Sequence, residues 1–376
     1  MPALDATLSQ KIALIAAKGQ KRSLTNSERH DGVFLTRAGK RLVSMSCNDS
    51  YGLTQHPMVI EAAAQALEQY GAGAGASRLV SGNHPLYDKL ETMLARKKQA
   101  QAALVFGSGY LANLGAIPAL VGKNDLIIAD KFIHACMIDA AQLSGATFLR
   151  FAHNNVAHCR MLLEANRADH QNCLVLTETV FSMDGDRAPI SGFNELAQEF
   201  DAWVMSDDAH GMYVTQQPDH ALIQMGTLSK ALGSYGGYIA GSRMLVEYLQ
   251  TAARSLIYST GLPPSNIAAA IAAMEILEND SGLREAPLKN AKYFTQLLGI
   301  KEAQSAIVPV ITGEGEKAVK AAALMDEHGY YVAAIRPPTV PENSARLRFA
   351  FSALHTKPQI EKAAELLLTN GFICVP

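Results

Sequence analysis

Ala202-Trp203-Val204-Met205-Ser206-Asp207-Asp208-Ala209-His210-Gly211 and Leu222-Ile223-Gln224-Met225-Gly226-Thr227-Leu228-Ser229-Lys230 decide the fold. Each begins as a short apolar run and ends in chemistry: two acids and an imidazole in the first, an amine in the second. Unbroken apolar runs of this length suit strands buried on both faces, as in parallel sheets covered by helices. The same rhythm spreads outward. Apolar bursts at 103–106, 125–129, 147–151, 173–177 and 237–240 alternate with helix-like stretches at 112–120, 134–143 and 193–200. This alternation predicts an α/β fold, a large domain with a mostly parallel sheet flanked by helices. A long helix over 265–278 precedes a change of rhythm. Helices at 316–328 and 357–369 then mix with strands at 306–311, 330–335 and 345–351, which predicts a smaller C-terminal α+β domain. The expected organisation is an N-terminal helical arm over 1–45, a large domain over 46–280 and a small domain over 281–376.

With 376 residues, 48% of them hydrophobic, the chain can bury a sizeable core. A formal net charge of −2 gives nucleic acid or an anionic membrane nothing to attract. No apolar run approaches a membrane span, and Met1-Pro2-Ala3-Leu4-Asp5 lacks the basic-then-apolar pattern of a secretory signal. Cys47, Cys136, Cys159, Cys173 and Cys374 are scattered, without a C-x-x-C pair, and read as reduced thiols of a cytoplasmic protein. No H-E-x-x-H or Cys/His spacing supports a metal site. Ser182-Met183-Asp184-Gly185-Asp186 begins like a calcium loop but lacks the closing glutamate, so a turn is expected there.

In open α/β sheets, ligands sit beyond the carboxyl ends of the strands. Gly107-Ser108-Gly109-Tyr110, His134, Glu178 through Ser182, Asp207, His210 and Lys230 all follow apolar bursts. Gly109 and Tyr110 open a helix whose N-terminus suits a phosphate, or else form an ordinary strand-to-helix turn. Asp207 and Asp208 are adjacent on an extended segment, so only one can face a given ligand. Arg346 and Arg348 share one strand face, where a guanidinium fork can hold a carboxylate or simply decorate a surface. Arg336-Pro337-Pro338-Thr339-Val340-Pro341 is stiffened by its prolines and presents Thr339. An amine with a carboxylate at one sheet edge is the minimum machinery of pyridoxal phosphate chemistry, Lys carrying the Schiff base and the acid facing the pyridinium.

Four stretches carry a family resemblance: Thr177-Glu178-Thr179-Val180-Phe181-Ser182-Met183-Asp184-Gly185-Asp186, Asp207-Asp208-Ala209-His210-Gly211, Thr227-Leu228-Ser229-Lys230-Ala231-Leu232-Gly233 and Ile335-Arg336-Pro337-Pro338-Thr339-Val340-Pro341. From about Arg22 to Gly371 the chain resembles the α-oxoamine synthases, fold type I pyridoxal phosphate enzymes. These condense an amino acid with an acyl thioester and release CO2. The resemblance implies that Lys230 binds the cofactor aldehyde and then moves the Cα proton. It assigns Asp207 to the pyridine nitrogen, His210 to the ring hydroxyl and His134 to stacking on the ring. Gly109 and Tyr110 would give backbone amides to the phosphate, with Ser182 and Thr227 adding hydroxyls. Asn48 and Arg348 would hold the amino-acid carboxylate, while Thr339 and Arg22 contact substrate. A homodimer is implied, Thr260 reaching the neighbour's phosphate. The 335–341 stretch favours L-alanine and a pimeloyl thioester, carried on coenzyme A or an acyl carrier protein, over glycine or serine with another acyl-CoA. The chain departs from the family pattern in three places. Its aromatic residue in Asn48-Asp49-Ser50-Tyr51-Gly52-Leu53 is moved by one position, Tyr87 stands where relatives often have His, and the 212–221 segment is short and lacks glycine.

Overall fold

The computed structural model describes residues 3–17, 20–213 and 220–373; Cys374 and most of the segment after Tyr213 (214–219) lie outside the described residues. After the first helix, Ala3–Ala17, come three short strands: β1 (Ser27–Arg29), β2 (Phe34–Arg37) and β3 (Lys40–Ser44). They form an antiparallel ladder. Ala38 and Gly39 both take positive φ (49° and 77°) between β2 and β3, as a tight primed hairpin turn requires. These strands occupy a region whose sequence predicts only a helical arm followed by polar chain.

Seven strands build the large sheet: β4 (Ala102–Phe106), β5 (Leu126–Asp130), β6 (Thr147–Phe151), β7 (Cys173–Glu178), β8 (Trp203–Asp207), β9 (Ile223–Thr227) and β10 (Gly237–Gly241). Their order is β4-β10-β9-β8-β7-β5-β6. Each lies within one residue of an apolar burst in the sequence. β6, β5, β7, β8 and β9 run parallel, while β10 is antiparallel to both neighbours. A parallel return needs a crossover of about a dozen residues or more. The 228–236 connection is too short for one, so the chain turns straight back and carries Lys230 past the carboxyl end of β9.

Alternate residues of these strands point to opposite faces. Ala103, Val105, Tyr238 and Ala240 pack with Leu90, Leu94 and Ile271 on one face. Leu104, Phe106, Ile127, Met205 and Ile239 pack with Ala112, Met137 and Leu249 on the other. Leu126, Ile128, Val175 and Val204 join a further cluster with Leu163 and Phe193. No helix among the described residues is long and apolar enough to cross a membrane.

The smaller sheet contains β11 (Ile307–Gly313), and the chain continues through β12 (Tyr330–Tyr331), β13 (Ala333–Ile335) and β14 (Ala345–Ala350). Residues 330–335, read from sequence as one strand, are two. β12 pairs in parallel with β3, whereas β13 pairs antiparallel with β14 in the order β11-β14-β13. The chain changes sheets at Val332, where Met45 N donates to Tyr331 O (2.9 Å) and Ala333 N donates to Ser46 Oγ (2.9 Å). Val33, Val43 and Met45 share a core with Phe294, Leu347, Phe349 and Phe351, so the β2–β3 region packs with the C-terminal sheet.

Candidate active site

Lys230 Nζ lies 2.8 Å from His210 Nε2, joining the connection after β9 to the turn after β8. The lysine loop is pressed against the chain that follows Asn48. Gly233 has φ +61°, and a Cβ there would stand 2.6 Å from Thr54 N and 2.8 Å from the Leu53 carbonyl carbon. No side chain fits that approach. Thr227, at the start of the same connection, donates to Gly236 O (2.9 Å) and accepts from Ser229 N (3.2 Å), closing the loop on itself.

The two aspartates part as adjacency requires. Asp207 is buried, its Oδ2 accepting from Asn113 Nδ2 (3.1 Å) and its Oδ1 from Ala209 N (2.9 Å). Asp208 turns to the other side and pairs with the buried Lys98. Asn113 was missed in the sequence. Its signal was there, a lone amide in the apolar helix Gly109–Leu120, and it is fully buried. Glu178, which in the sequence stands out only by following an apolar burst, ends β7 beside Asp207. Its Oε2 accepts from Ser182 N (3.3 Å), and its Oε1 is buried.

Burial sets the charge states here. It lowers the Lys230 pKa, while Asp207 and Glu178 pull the other way and Arg348 adds to the lowering. It pushes His210 well below the ordinary imidazole value, helped by the Lys230 and Arg348 charges, so that ring is neutral. Burial, reinforced by the Asp207 charge, pushes Glu178 well above the carboxylate range. His134 caps the helix Ala135–Ser144, its Nδ1 accepting from Cys136 N (3.3 Å). Burial lowers its pKa; Asp207 opposes that and Lys230 adds to it. The Cys136 thiol is pushed up to about 12, by burial first and then by Asp207.

Arg348, on β14, reaches this cluster from the smaller sheet. Its Nε donates to Ser182 O (2.6 Å), and both Nη atoms donate to Asn48 Oδ1 (3.2 Å each). Burial lowers its pKa to about 10, still far above neutrality. Arg348 and Arg346 are both buried, so this strand face is not surface decoration. Ser108 caps the helix that begins at Gly109, accepting from Leu111 N (3.1 Å). That leaves the Gly109 and Tyr110 amides at the helix end, where orphan N–H groups and the helix dipole favour an anion. The Tyr110 hydroxyl is hydrogen-bonded to the Asp139 carboxylate.

The remaining expected residues lie elsewhere. Arg22 and Thr339 come together, with Lys21 and Arg336, in a cavity of about 850 Å³ that no residue of the Lys230 cluster lines. Thr260 is exposed and bridged to Ser77. The displaced aromatic, Tyr51, is buried in the core cluster of Met212 and Leu228. Tyr87 is buried too, its hydroxyl accepting from Leu262 N (2.6 Å) under the Arg78 guanidinium. No group of metal-ligating side chains occurs among the described residues.

Residues 40–367 match the family described as aminotransferase class I and II. The chain is 50% identical over 370 residues to an 8-amino-7-oxononanoate synthase of Methylobacterium nodulans, covering 98% of each. Among solved structures it is similar to a serine palmitoyltransferase of Sphingomonas wittichii, with TM-score 0.90 and 29% identity over 99% of each chain. It is also similar to an 8-amino-7-oxononanoate synthase of Francisella tularensis, with TM-score 0.74 and 26% identity over 88% of this chain and 98% of that one.

Proposed function

Because the chain belongs to the aminotransferase class I and II family, and within it to the 8-amino-7-oxononanoate synthases, we propose that it joins L-alanine to a pimeloyl thioester. CO2 and the carrier thiol leave, and 8-amino-7-oxononanoate is formed for biotin synthesis. One observation carries this reading: beyond the carboxyl ends of β8 and β9 the Lys230 amine lies 2.8 Å from the His210 imidazole, while the buried Arg348 guanidinium is held to Ser182 O (2.6 Å) just past β7.

The donor set fits pyridoxal 5'-phosphate. The free amides of Gly109 and Tyr110 suit its phosphate, buried Asp207 its ring nitrogen, His210 its ring oxygen and Lys230 its aldehyde. Ser182, Thr227 and His134 complete that set. When bound, the cofactor supplies an aldehyde for amine exchange and an electron sink at the substrate Cα. The chain's own residues do the rest. Asp207 holds a proton on the ring nitrogen, and Asn113 holds Asp207 in place. Lys230, lowered in pKa, takes the Cα proton and later returns one. Arg348, with Asn48, binds the amino-acid carboxylate through its two Nη atoms, which among the described residues donate to a neutral amide oxygen, Asn48 Oδ1. Arg22 and Thr339 contact the thioester substrate. We further infer a homodimer in which Thr260 reaches the phosphate of the neighbour's site.

A serine-using reading has the higher TM-score to the serine palmitoyltransferase on its side. That score follows backbone shape, whereas the 50% identity extends over the side chains throughout. The test is incubation with cofactor, L-alanine and pimeloyl-CoA, with the product identified by mass. The expected product is 8-amino-7-oxononanoate, and Lys230→Ala should abolish it while the protein still binds cofactor. Turnover of glycine or serine with another acyl-CoA, and none of L-alanine, would overturn the reading.

A further inference from the structure

The 182–186 turn has a second anchor that the proposed chemistry does not use. His153, just past β6, sits between two carboxylates. Its Nδ1 is 3.1 Å from both oxygens of Asp130, at the end of β5, and its Nε2 is 2.8 Å from Asp186 Oδ2 in the turn. Asn154 reaches the same two acids. It takes φ +53°, a conformation Asn tolerates better than most residues. Its backbone N–H donates to Asp130 Oδ2 (2.7 Å), and its side-chain amide donates to Asp186 Oδ2 (2.9 Å) and Arg187 O (3.2 Å). Burial alone would lower the His153 pKa. The two carboxylates outweigh it and push the ring up to about 9, so both nitrogens carry protons at neutral pH. Phe181 (edge-on, 4.4 Å) and Phe132 (4.8 Å) wall the imidazolium.

The other side of the turn is held by β14. Arg348 Nε donates to Ser182 O (2.6 Å), and Arg346 Nη1 donates to Met183 O (3.2 Å) and Asp184 Oδ1 (2.6 Å). Gly185, between the two anchors, has φ +70°, and a Cβ there would come 2.1 Å from Ile307 O. The turn is therefore fixed at one end by His153 and Asn154 and gripped at the other by the two arginines.

We propose that His153 is a positioning residue for the amino-acid substrate. Its charge-assisted bond to Asp186 fixes the turn, and the Ser182 carbonyl then aims the Arg348 guanidinium. The proposal rests on the reading above only in taking Arg348 as the carboxylate grip. A charged hydrogen bond of this kind is directional and is lost outright when the imidazole is removed.

The test compares the holoenzyme with its His153→Phe, His153→Gln and Asn154→Gly variants. Measured are the L-alanine Kd by calorimetry without thioester, the KM of each substrate, and Tm. His153→Phe should raise the alanine Kd and KM about tenfold, with the pimeloyl-CoA KM within about twofold. The two milder variants should weaken alanine by about threefold each. If His153→Phe fails to fold, those two decide by the same readouts. An unchanged alanine Kd with a lowered Tm would overturn the proposal, as would equal rises in both KM values. Wild-type protein that binds alanine but forms no product with pimeloyl-CoA would sink the proposed reaction alone, since the alanine Kd still reads the positioning.

Discussion

Glu178 shows how far burial can change a residue that looks ordinary in the sequence. It ends an entirely buried strand beside a second carboxylate, and an ionised pair at that spacing costs too much to keep. Burial first, and then the Asp207 charge, favour the neutral form of Glu178, and Gln copies that form's shape and neutrality. Glu178→Gln should keep kcat/KM within about threefold, whereas Glu178→Ala, which strips the acceptor from Ser182 N, should lose at least about tenfold. Steady-state kinetics on both variants checks this. A collapse of activity in the Gln variant alone would mean that the charged form is needed. The acid–imidazole–amine set was legible in the sequence because each member follows an apolar burst. Asn113 and Glu178 were harder to see as site residues. Their importance comes from which side chains they face across the sheet, and spacing along one segment does not encode that.

At the scale of elements, the 228–236 connection makes the lysine's position a backbone matter. Gly233 holds φ +61° against the Leu53–Thr54 peptide, so Gly233→Ala adds both conformational strain and a clash with backbone atoms. The expected cost is about 1–3 kcal/mol in urea unfolding, with a loss of kcat larger than that of a surface glycine variant. Wild-type stability and kcat in this variant would remove the connection's geometry from any role in placing Lys230. Six of the seven large-sheet strands are buried along nearly their whole length, which leaves the apolar runs that made them legible, whereas β6, at the sheet edge, is buried only at Phe151. β1 to β3 were not legible, since they are short and show no alternating pattern: β1 is exposed along its whole length, β2 buries only Leu35, and β3 begins with exposed Lys40 and Arg41. The split of 330–335 was hidden for a different reason. Both halves are extended, and only the partner strand changes.

At the scale of the whole molecule, His355 ties the C-terminal part of the chain to the end of β3, and the surface carries exposed apolar side chains. His355 Nε2 faces Ser44 O (3.0 Å), and its Nδ1 accepts from Ser352 N (2.8 Å), which fixes one neutral tautomer. Burial lowers its pKa to about 4, against the pull of those backbone groups. An unfolded His titrates near about 6.5. The unfolded chain thus binds the extra proton first as pH falls. The stabilisation is complete above about pH 6.5 and is lost progressively toward about pH 4. Urea unfolding across that range should show the loss, and His355→Gln should flatten it. An identical pH dependence in the variant would assign the acid sensitivity to other groups.

The proposed dimer has its own physical argument. Leu79 and Val80 are 58% and 80% exposed on the turn Arg78–Gly82. That turn is rigid, because Arg78 donates to Glu91 Oε1 (2.6 Å), Glu91 Oε2 (3.1 Å) and Val105 O (3.0 Å). Neighbouring Ser77 is bridged to Thr260, and Tyr258 is 73% exposed nearby in the chain. A rigid turn cannot fold its apolar side chains inward, so only another surface can cover them. Covering a side chain of this size is worth about 1.5–3 kcal/mol, and each is used twice in a two-fold contact. Burying an unpaired aspartate there would cost more than that gain. Light scattering should give twice the 40.3 kDa chain mass for the wild type and a shift toward the single-chain mass for Val80→Asp. If Thr260 serves the neighbour's phosphate, that variant should also lose cofactor affinity, although Val80 is no part of the Lys230 cluster. A Val80→Asp protein that stays dimeric and binds cofactor like the wild type would take this face out of the interface.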